Sequence, residues 1–118
     1  MGIVYHSNYL IWMEVGRVEL CRSLGVTYRD MEREGVLLTV AEVNCRFHGA
    51  ARYDDEVIVN TRLGHVHPRM VTFEYEMRRV DDGLRLVSGH TKHVICGPDL
   101  KPARMPQKYR PMFGMNER

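Results

Sequence analysis

The feature that most limits the possible folds is an apolar segment near the start of the chain, residues 8–24 (NYLIWMEVGRVELCRSL). It has the length of a helix, and Gly16 is its only strong turn former. Drawn as a helix, it carries apolar residues around most of its circumference, and such a helix needs burial on more than one side. Gly25 is a typical C-terminal stop, and Ser7 or Asn8 is a candidate N-terminal cap. The rest of the chain is therefore expected to wrap around this helix.

After Gly35 the pattern changes to the alternation typical of strands. A short helix is predicted first, at residues 27–33, with Thr27 as its cap. Strands are then predicted at residues 36–47, 56–63, 70–80 and 84–96. An Asp-Asp-Gly turn predicts a hairpin between the last two strands, and the proline-containing residues after 97 predict an irregular tail. This order predicts an α+β fold in which an antiparallel sheet wraps around a long central helix.

Composition excludes several classes of protein. The 118 residues suffice for one domain, which we expect to span residues 1–118. A net charge of +2 without a basic stripe argues against a nucleic-acid partner. No apolar run approaches the roughly 18 residues of a membrane span. Three cysteines that are far apart and form no CxxC pair are poor material for a disulfide framework or a zinc site, and they favour the cytosol.

The start of the chain carries a family resemblance. Residues 2–10 (GIVYHSNYL), which run into WMEVGRVE, resemble the opening of the hot-dog-fold acyl-CoA thioesterases of the 4-hydroxybenzoyl-CoA thioesterase type, including the Tol–Pal-associated branch. Residues 50–55 (AARYDD), 83–89 (GLRLVSG) and 101–106 (KPARMP) are similar to later parts of that family. The resemblance covers nearly the whole chain. It implies a hot-dog fold and a homodimer or homotetramer, in agreement with the helix and sheet predicted above.

The resemblance also implies an activity, the hydrolysis of an acyl-CoA to a free acid and CoA without a metal or a further cofactor. In that family the backbone N–H matching His6 donates to the thioester carbonyl oxygen, and a helix N-terminus suits this role because its N–H groups are unsatisfied. A carboxylate acts as nucleophile or as general base toward water. The family's carboxylate lies in a D-x-x-G arrangement two positions before the residue matching Met1. We therefore expect this carboxylate and the family's first strand upstream of the present sequence.

Within the sequence, His6 and Tyr5 are the candidate catalytic residues, and Asn8 is the candidate substrate contact. An imidazole changes its protonation near neutral pH, so His6 suits a general base, although a lone histidine is often only a polar residue at a helix start. Tyr5 is equally consistent with a core aromatic residue, and Asn8 with a helix cap. Glu14 is a substitute acid only if it is not paired with Arg17, and the spacing of three residues favours that ion pair.

The remaining polar patterns favour structural roles. Alternating polar residues in the first strand predict a solvated face: Glu42, Asn44, Arg46 and His48. His65 and His67 precede a proline, and His90 and His93 fall on opposite faces of a strand, so a zinc site is not predicted. The tail offers two candidate contacts, neither of them favoured. Its basic residues are candidates for CoA phosphates: Lys101, Arg104, Lys108, Arg110 and Arg118. Its apolar residues, with Met1, are candidates for the acyl chain, although loose packing is favoured: Met105, Met112, Phe113 and Met115.

Two other functions use the same fold. A non-catalytic acyl-CoA or acyl-carrier binding module would have the same pocket without the acid. A hot-dog dehydratase also acts on acyl thioesters, but its helix entry is rich in glycine and proline. The GIVYHSNYL segment lacks those prolines, so the dehydratase is the weaker alternative.

Overall fold

The helix and the sheet lie against each other as two layers. A computed structural model describes residues 6–115, with His6 and Ser7 described in their backbone only. Its elements in chain order are helices α1 (His6–Ser23) and α2 (Tyr28–Arg33), strands β1 (Leu37–Phe47), β2 (Val57–His67), β3 (Met70–Arg79) and β4 (Arg85–Cys96), and a 3₁₀ turn at Arg110–Phe113. In this part of the chain the four strands form one antiparallel sheet in the order β1-β4-β3-β2. The predicted α+β arrangement is confirmed.

The ends of the helices agree only partly with the prediction. α1 begins at His6, so Asn8 lies inside the helix and the predicted cap at Ser7 or Asn8 is wrong. A turn of backbone that precedes the apolar pattern leaves no periodic signal in the sequence, which explains this error. The C-terminal stop is confirmed, because Gly25 has a φ of 90° and the Val26 N–H donates to the Cys21 carbonyl at 2.9 Å. Thr27 caps α2, its Oγ1 accepting from the Asp30 N–H.

The strand faces follow the predicted alternation. The inner face of β3 is buried along its whole length: Val71, Phe73, Tyr75 and Met77. The predicted end of β2 at Leu63 is wrong, since the strand continues to His67. The pairing of β2 with β3 is irregular between Leu63 and Val66, and this irregularity interrupts the alternation that the sequence prediction relied on. The strand ends just before Pro68, which has no N–H to donate to a ladder.

α1 packs against β2 and, less closely, against β3. The closest approach is at Gly16, where a Cβ atom would lie 2.3 Å from Thr61 Oγ1 and 3.1 Å from Val59 Cγ1. The absence of a side chain at Gly16 therefore sets the distance between the helix and the sheet.

A Gly16→Ala variant is expected to lower the free energy of unfolding by about 2–3 kcal/mol, although alanine favours a helix by about 1 kcal/mol over glycine. Thr61→Ala removes the contacted hydroxyl, which is buried and has no hydrogen-bond partner, so the double variant should regain most of the loss. Urea unfolding of the four proteins measures the coupling. Additive effects of the two substitutions would contradict this close approach.

The tail is better packed than predicted. Four of its large side chains belong to the buried core: Met105, Tyr109, Phe113 and Met115. The backbone is tied down as well, because the Met105 N–H donates to the Pro68 carbonyl. The expectation of loose packing is wrong for Met105, Phe113 and Met115, since their apolar area is buried in the core rather than left in water. Met112 is more than a third exposed, and Met1 lies outside the described residues.

Candidate functional site

The first turn of α1 presents backbone donors. The first four N–H groups of a helix have no partner within it, and they carry the positive end of the helix dipole. No acidic side chain lies in this first turn to neutralise them. The helix start is thus suited to an anion or to a carbonyl oxygen that gains negative charge. Of the predicted site residues, His6 contributes only its backbone to the described part, and Tyr5 lies outside it.

Tyr9 fixes this turn against the loop that follows β1. Its ring is buried, and its hydroxyl oxygen accepts a hydrogen bond from the Ala51 backbone N–H at 3.0 Å. Edge-to-face contacts join the ring to Trp12 and Phe47, with centroids 5.2 Å and 5.4 Å away. The helix start, the end of β1 and the loop are therefore held in one geometry. Sequence analysis treated Tyr9 only as an apolar helix residue; the signal was a hydroxyl that needs a partner when it is buried.

Arg79 also stabilises this loop. Its guanidinium pairs with Asp55 at 3.1 Å and with Asp82 at 2.9 Å, and it donates to the Ala50 carbonyl at 2.8 Å. The Arg52 backbone N–H, and then Arg79, hold the pKa of Asp55 below its usual value. The loop beside the helix start is thus anchored at both ends. Sequence analysis missed Arg79, because two of its partners, Ala50 and Asp55, lie 29 and 24 positions before it in the chain.

Two predictions on α1 meet different outcomes. Asn8 is half-buried in the first turn of the helix, and its role as a substrate contact stays a prediction. The favoured ion pair of Glu14 with Arg17 is wrong: the ion pair formed within α1 joins Arg22 to Glu19, and the Arg17 Nε is buried without a partner. Arg17 is half-buried, whereas Glu14 is exposed.

The inner face of β1 is uncovered. Directly opposed residues share a face of a sheet, and Val40, Val43 and Phe47 are opposite inward-facing residues of β4. These three side chains are nevertheless 43–47% exposed, because α1 covers β2 and β3 instead. The inner face of the edge strand β1 therefore carries an exposed apolar strip formed by these three side chains.

A buried hydrogen-bonded chain lies under the helix. His93 Nδ1 is 3.3 Å from the Leu38 carbonyl oxygen, which can only accept, so Nδ1 carries the proton. His93 Nε2 then accepts from the Thr91 hydroxyl at 2.8 Å, and that hydroxyl accepts from Tyr75 at 2.6 Å. These three hydrogen bonds all run in the same direction, from Tyr75 to the Leu38 carbonyl. All three form only while the imidazole of His93 is neutral. Burial lowers the pKa of His93 to about 4.

This chain predicts a stability that depends on pH. The pKa of His93 is about 4 in the folded protein and about 6.5 when unfolded, so the unfolded chain binds more protons between these values. The free energy of unfolding should therefore fall as the pH drops from about 6.5 to 4, by about 3 kcal/mol in total. Urea unfolding at pH 7 and pH 5 measures this. His93→Gln should lose the dependence, and His48→Gln, on the exposed outer face, should keep it; an unchanged slope in His93→Gln would exclude this origin.

The other histidines lie on the outside. His90 pairs with Glu42 at 2.8 Å, on the face of β4 opposite to His93, and His48 contacts Ser88. The four residues predicted to form a solvated face of β1 are all exposed in the described part of the chain: Glu42, Asn44, Arg46 and His48. His65 and His67 are exposed on β2. Among residues 6–115, no group of three or more His, Cys, Asp or Glu side chains is arranged to hold a metal ion.

No helix in the same described range is long and apolar enough to cross a membrane.

Two basic residues of the tail already bind partners within the protein. Lys108 pairs with Glu34 at 2.6 Å, and the Tyr109 hydroxyl donates to the same carboxylate. Arg110 is buried, and its Nε donates to the Met105 carbonyl at 2.7 Å. These two cations stabilise the tail, and the expectation that they meet CoA phosphates is not supported. Arg118 lies outside the described residues.

Comparisons with known proteins agree on one family. A sequence model of the thioesterase superfamily matches residues 1–86. The putative acyl-CoA thioesterase YneP of Bacillus subtilis is 49% identical over 61 residues, 52% of this chain and 44% of that protein. The acyl-CoA thioesterase YbgC of Haemophilus influenzae is 28% identical over 115 residues, 95% of this chain and 82% of that protein. The chain spans about half the length of the first curated relatives it matches.

Comparison with solved structures shows that the fold is shared as well. The crystal structure of a DHNA-CoA thioesterase from Staphylococcus aureus superposes with a TM-score of 0.87 at 30% identity, covering 97% of this chain and 76% of that one. The arrangement of sheet and helix described above is thus shared along almost the whole chain.

Proposed function

The chain belongs to the thioesterase superfamily and has its hot-dog fold, and from this we propose that it hydrolyses acyl-CoA thioesters to a free acid and CoA at the start of α1. The observation that carries the proposal is the first turn of α1, which has no acidic side chain and is held against the β1–β2 loop by Tyr9. The names of the Bacillus and Haemophilus relatives support acyl-CoA as the substrate class. Membership of the 4-hydroxybenzoyl-CoA thioesterase branch is part of the proposal.

In the proposed reaction, water adds to the thioester carbonyl carbon, the carbonyl oxygen becomes negative, and the C–S bond then breaks to release the CoA thiol. The backbone N–H of His6 stabilises the oxyanion, and its imidazole, Tyr5 and Asn8 lie around the substrate. A carboxylate activates the water or attacks directly, as the family resemblance implies. Glu14 is not assigned this role, because it is eight residues after His6 and so about 12 Å further along the helix.

CoA release from a panel of short, medium, long and aromatic acyl-CoAs tests the proposal. It should be measured on this chain and on a version that carries any residues encoded before Met1. Release from at least one substrate supports hydrolysis, whereas saturable binding without release would indicate the non-catalytic module. A protein that shows neither binding nor release would reject both the thioesterase and the binding module. Activity only in the longer version would place the acting carboxylate before Met1, and equal activity would place it within residues 1–118.

We also propose that the chain is a homodimer, with a homotetramer as the alternative, in which a second copy covers the exposed apolar inner face of β1. The support is the uncovered apolar inner face of this edge strand, which would otherwise be left in water. Light scattering should give a mass of at least two chains of 13.8 kDa, and a single-chain mass would reject the dimer.

We also propose a cytoplasmic location, because Cys21, Cys45 and Cys96 are free thiols.

A further inference from the structure

A polar groove lies on the outer face of the sheet, the side away from α1. Its volume is about 660 Å³, and residues of all four strands line it. Glu74 and Glu76 alternate with the buried inner residues of β3, so they point outward. The strand register continues this face in one row, from Arg46 on β1 through Ser88 and Glu76 to Asn60 on β2. No residue of the groove is used in the proposed hydrolysis.

The two carboxylates of the groove already have partners. Glu74 pairs with Arg62 at 2.7 Å, and Glu76 pairs with Arg78 at 2.6 Å. Hydrogen bonding to Arg78 lowers the pKa of Glu76, and the positive charges of Arg85 and Arg62 act in the same direction. Each negative charge of the groove is therefore balanced by an arginine on a neighbouring position of the sheet.

Two arginines of the groove are left without a carboxylate. No ion pair found among residues 6–115 includes Arg46 or Arg85. The two lie on the neighbouring strands β1 and β4, because Arg46 is opposite Ser88 and Arg85 is at the start of the strand that carries Ser88. Guanidinium groups bind phosphate through paired hydrogen bonds to its oxygens. This side of the groove is therefore suited to a phosphate group.

The other side of the groove offers an amide. Asn60 lies on β2, in the same row as Arg46. Neighbouring strands are about 4.8 Å apart, so this row extends about 14 Å across the sheet. An asparagine amide both donates and accepts hydrogen bonds, and it matches the edge of an adenine ring. The groove volume lies within the range of small-molecule sites, about 300–1,000 Å³, so it accommodates more than a phosphate.

The same face of a second copy is a poorer occupant. Glu74 and Glu76 are already paired, so a second groove offers no free carboxylate to Arg46 or Arg85. The outward side chains that line the groove are all polar or charged. Stable interfaces between protein chains have an apolar centre that is depleted of charge. A small anion with polar groups therefore fits this groove better than another sheet does.

We propose that this groove binds a nucleotide-sized phosphate monoester, with its phosphate on Arg46 and Arg85 and its ring toward Asn60. The inference goes beyond the proposed hydrolysis and does not depend on it, since it gives the protein a second ligand site on the opposite face of the sheet. A free phosphate ion shares the chemistry of the phosphate group, and the test below separates it from a nucleotide.

Isothermal titration calorimetry of the whole chain with AMP tests the site, with adenosine and inorganic phosphate as matched ligands. AMP should bind more tightly than both, because it alone combines the phosphate with the ring. Arg46→Met and Arg85→Met should each weaken AMP binding by about 10-fold, the effect of losing hydrogen bonds to a charged group. Asn60→Ala should weaken the binding of AMP but not of phosphate. Arg29→Met, at an exposed arginine on α2, is the matched control and should bind as the wild type does.

A wild-type protein that does not bind AMP would overturn the inference. Equal affinities for AMP and inorganic phosphate would reject the nucleotide, and unchanged binding in Arg46→Met and Arg85→Met would show that AMP binds at another place. A lower mass of these two variants in light scattering, with AMP binding unchanged, would identify the groove as an interface between copies and reject the ligand site. Both arginines are exposed, so the variants should fold and keep the rate of CoA release. If no thioester is hydrolysed, the proposed function fails and the titrations still decide this inference.

Discussion

A His6→Pro variant is expected to have a kcat about 10²- to 10³-fold below that of His6→Ala, the cost of losing one oxyanion donor. Proline has no backbone N–H, and its fixed φ suits the first position of a helix, where α1 places His6. The helix should therefore still form while the proposed donor is lost. Both variants lack the imidazole, so their ratio isolates the contribution of the N–H.

The comparison is made on whichever version of the protein releases CoA in the acyl-CoA panel. The ratio of kcat between the wild type and His6→Ala measures the contribution of the imidazole alone. Circular dichroism and the melting temperature check that α1 is intact in both variants. Equal rates for His6→Pro and His6→Ala would show that the His6 N–H does not contact the thioester oxygen.

Gly89→Ala is expected to cause the largest loss of stability, about 3–5 kcal/mol in the free energy of unfolding. A Cβ atom at Gly89 would lie 2.1 Å from the Asn44 carbonyl oxygen and 3.2 Å from the Cys45 Cα. Both are backbone atoms of β1, so no side chain is able to move aside. β1 would have to move away from β4, and the pairing that runs from Leu37 to Phe47 would be disturbed.

Ser88→Ala is the matched control for this substitution. Ser88 is the preceding residue of β4, and its hydroxyl contacts His48 on the outer face. Its loss should cost about 1 kcal/mol or less. Urea unfolding of the three proteins at pH 7 gives the values, and a Gly89→Ala variant as stable as Ser88→Ala would show that the strands do not approach so closely.

The order of elements was predictable because it depends on local patterns. β3 was placed within one residue, since its alternation of buried and exposed residues is unbroken. β2 was predicted too short, because the irregular pairing after Leu63 interrupts the same alternation. The packed tail was missed for another reason: Met105 and Phe113 have no periodic pattern and are buried by contacts with distant residues.

The candidate site was predictable only in its position along the chain. The helix start and His6 came from the opening motif. The anchoring of Tyr9 to Ala51 joins residues 42 positions apart, and Arg79 reaches Ala50, 29 positions away. Spacing in the sequence carries no information on such contacts. The same holds for Arg17, whose spacing to Glu14 favoured an ion pair that the packing of the helix does not form.

The sequence by itself therefore determined a long apolar helix, an antiparallel sheet and a family motif at the helix start, whereas the expected burial of the helix on more than one side is wrong, since Leu10, Ile11 and Val15 are exposed. Each of these is encoded by neighbouring residues, through hydrophobic periodicity and turn chemistry. Only the tertiary structure decided which strand α1 leaves uncovered and which polar groups remain without partners beneath it. Those properties depend on how the helix crosses the sheet at Gly16, and they bring Arg17 and Tyr28 together from separate elements.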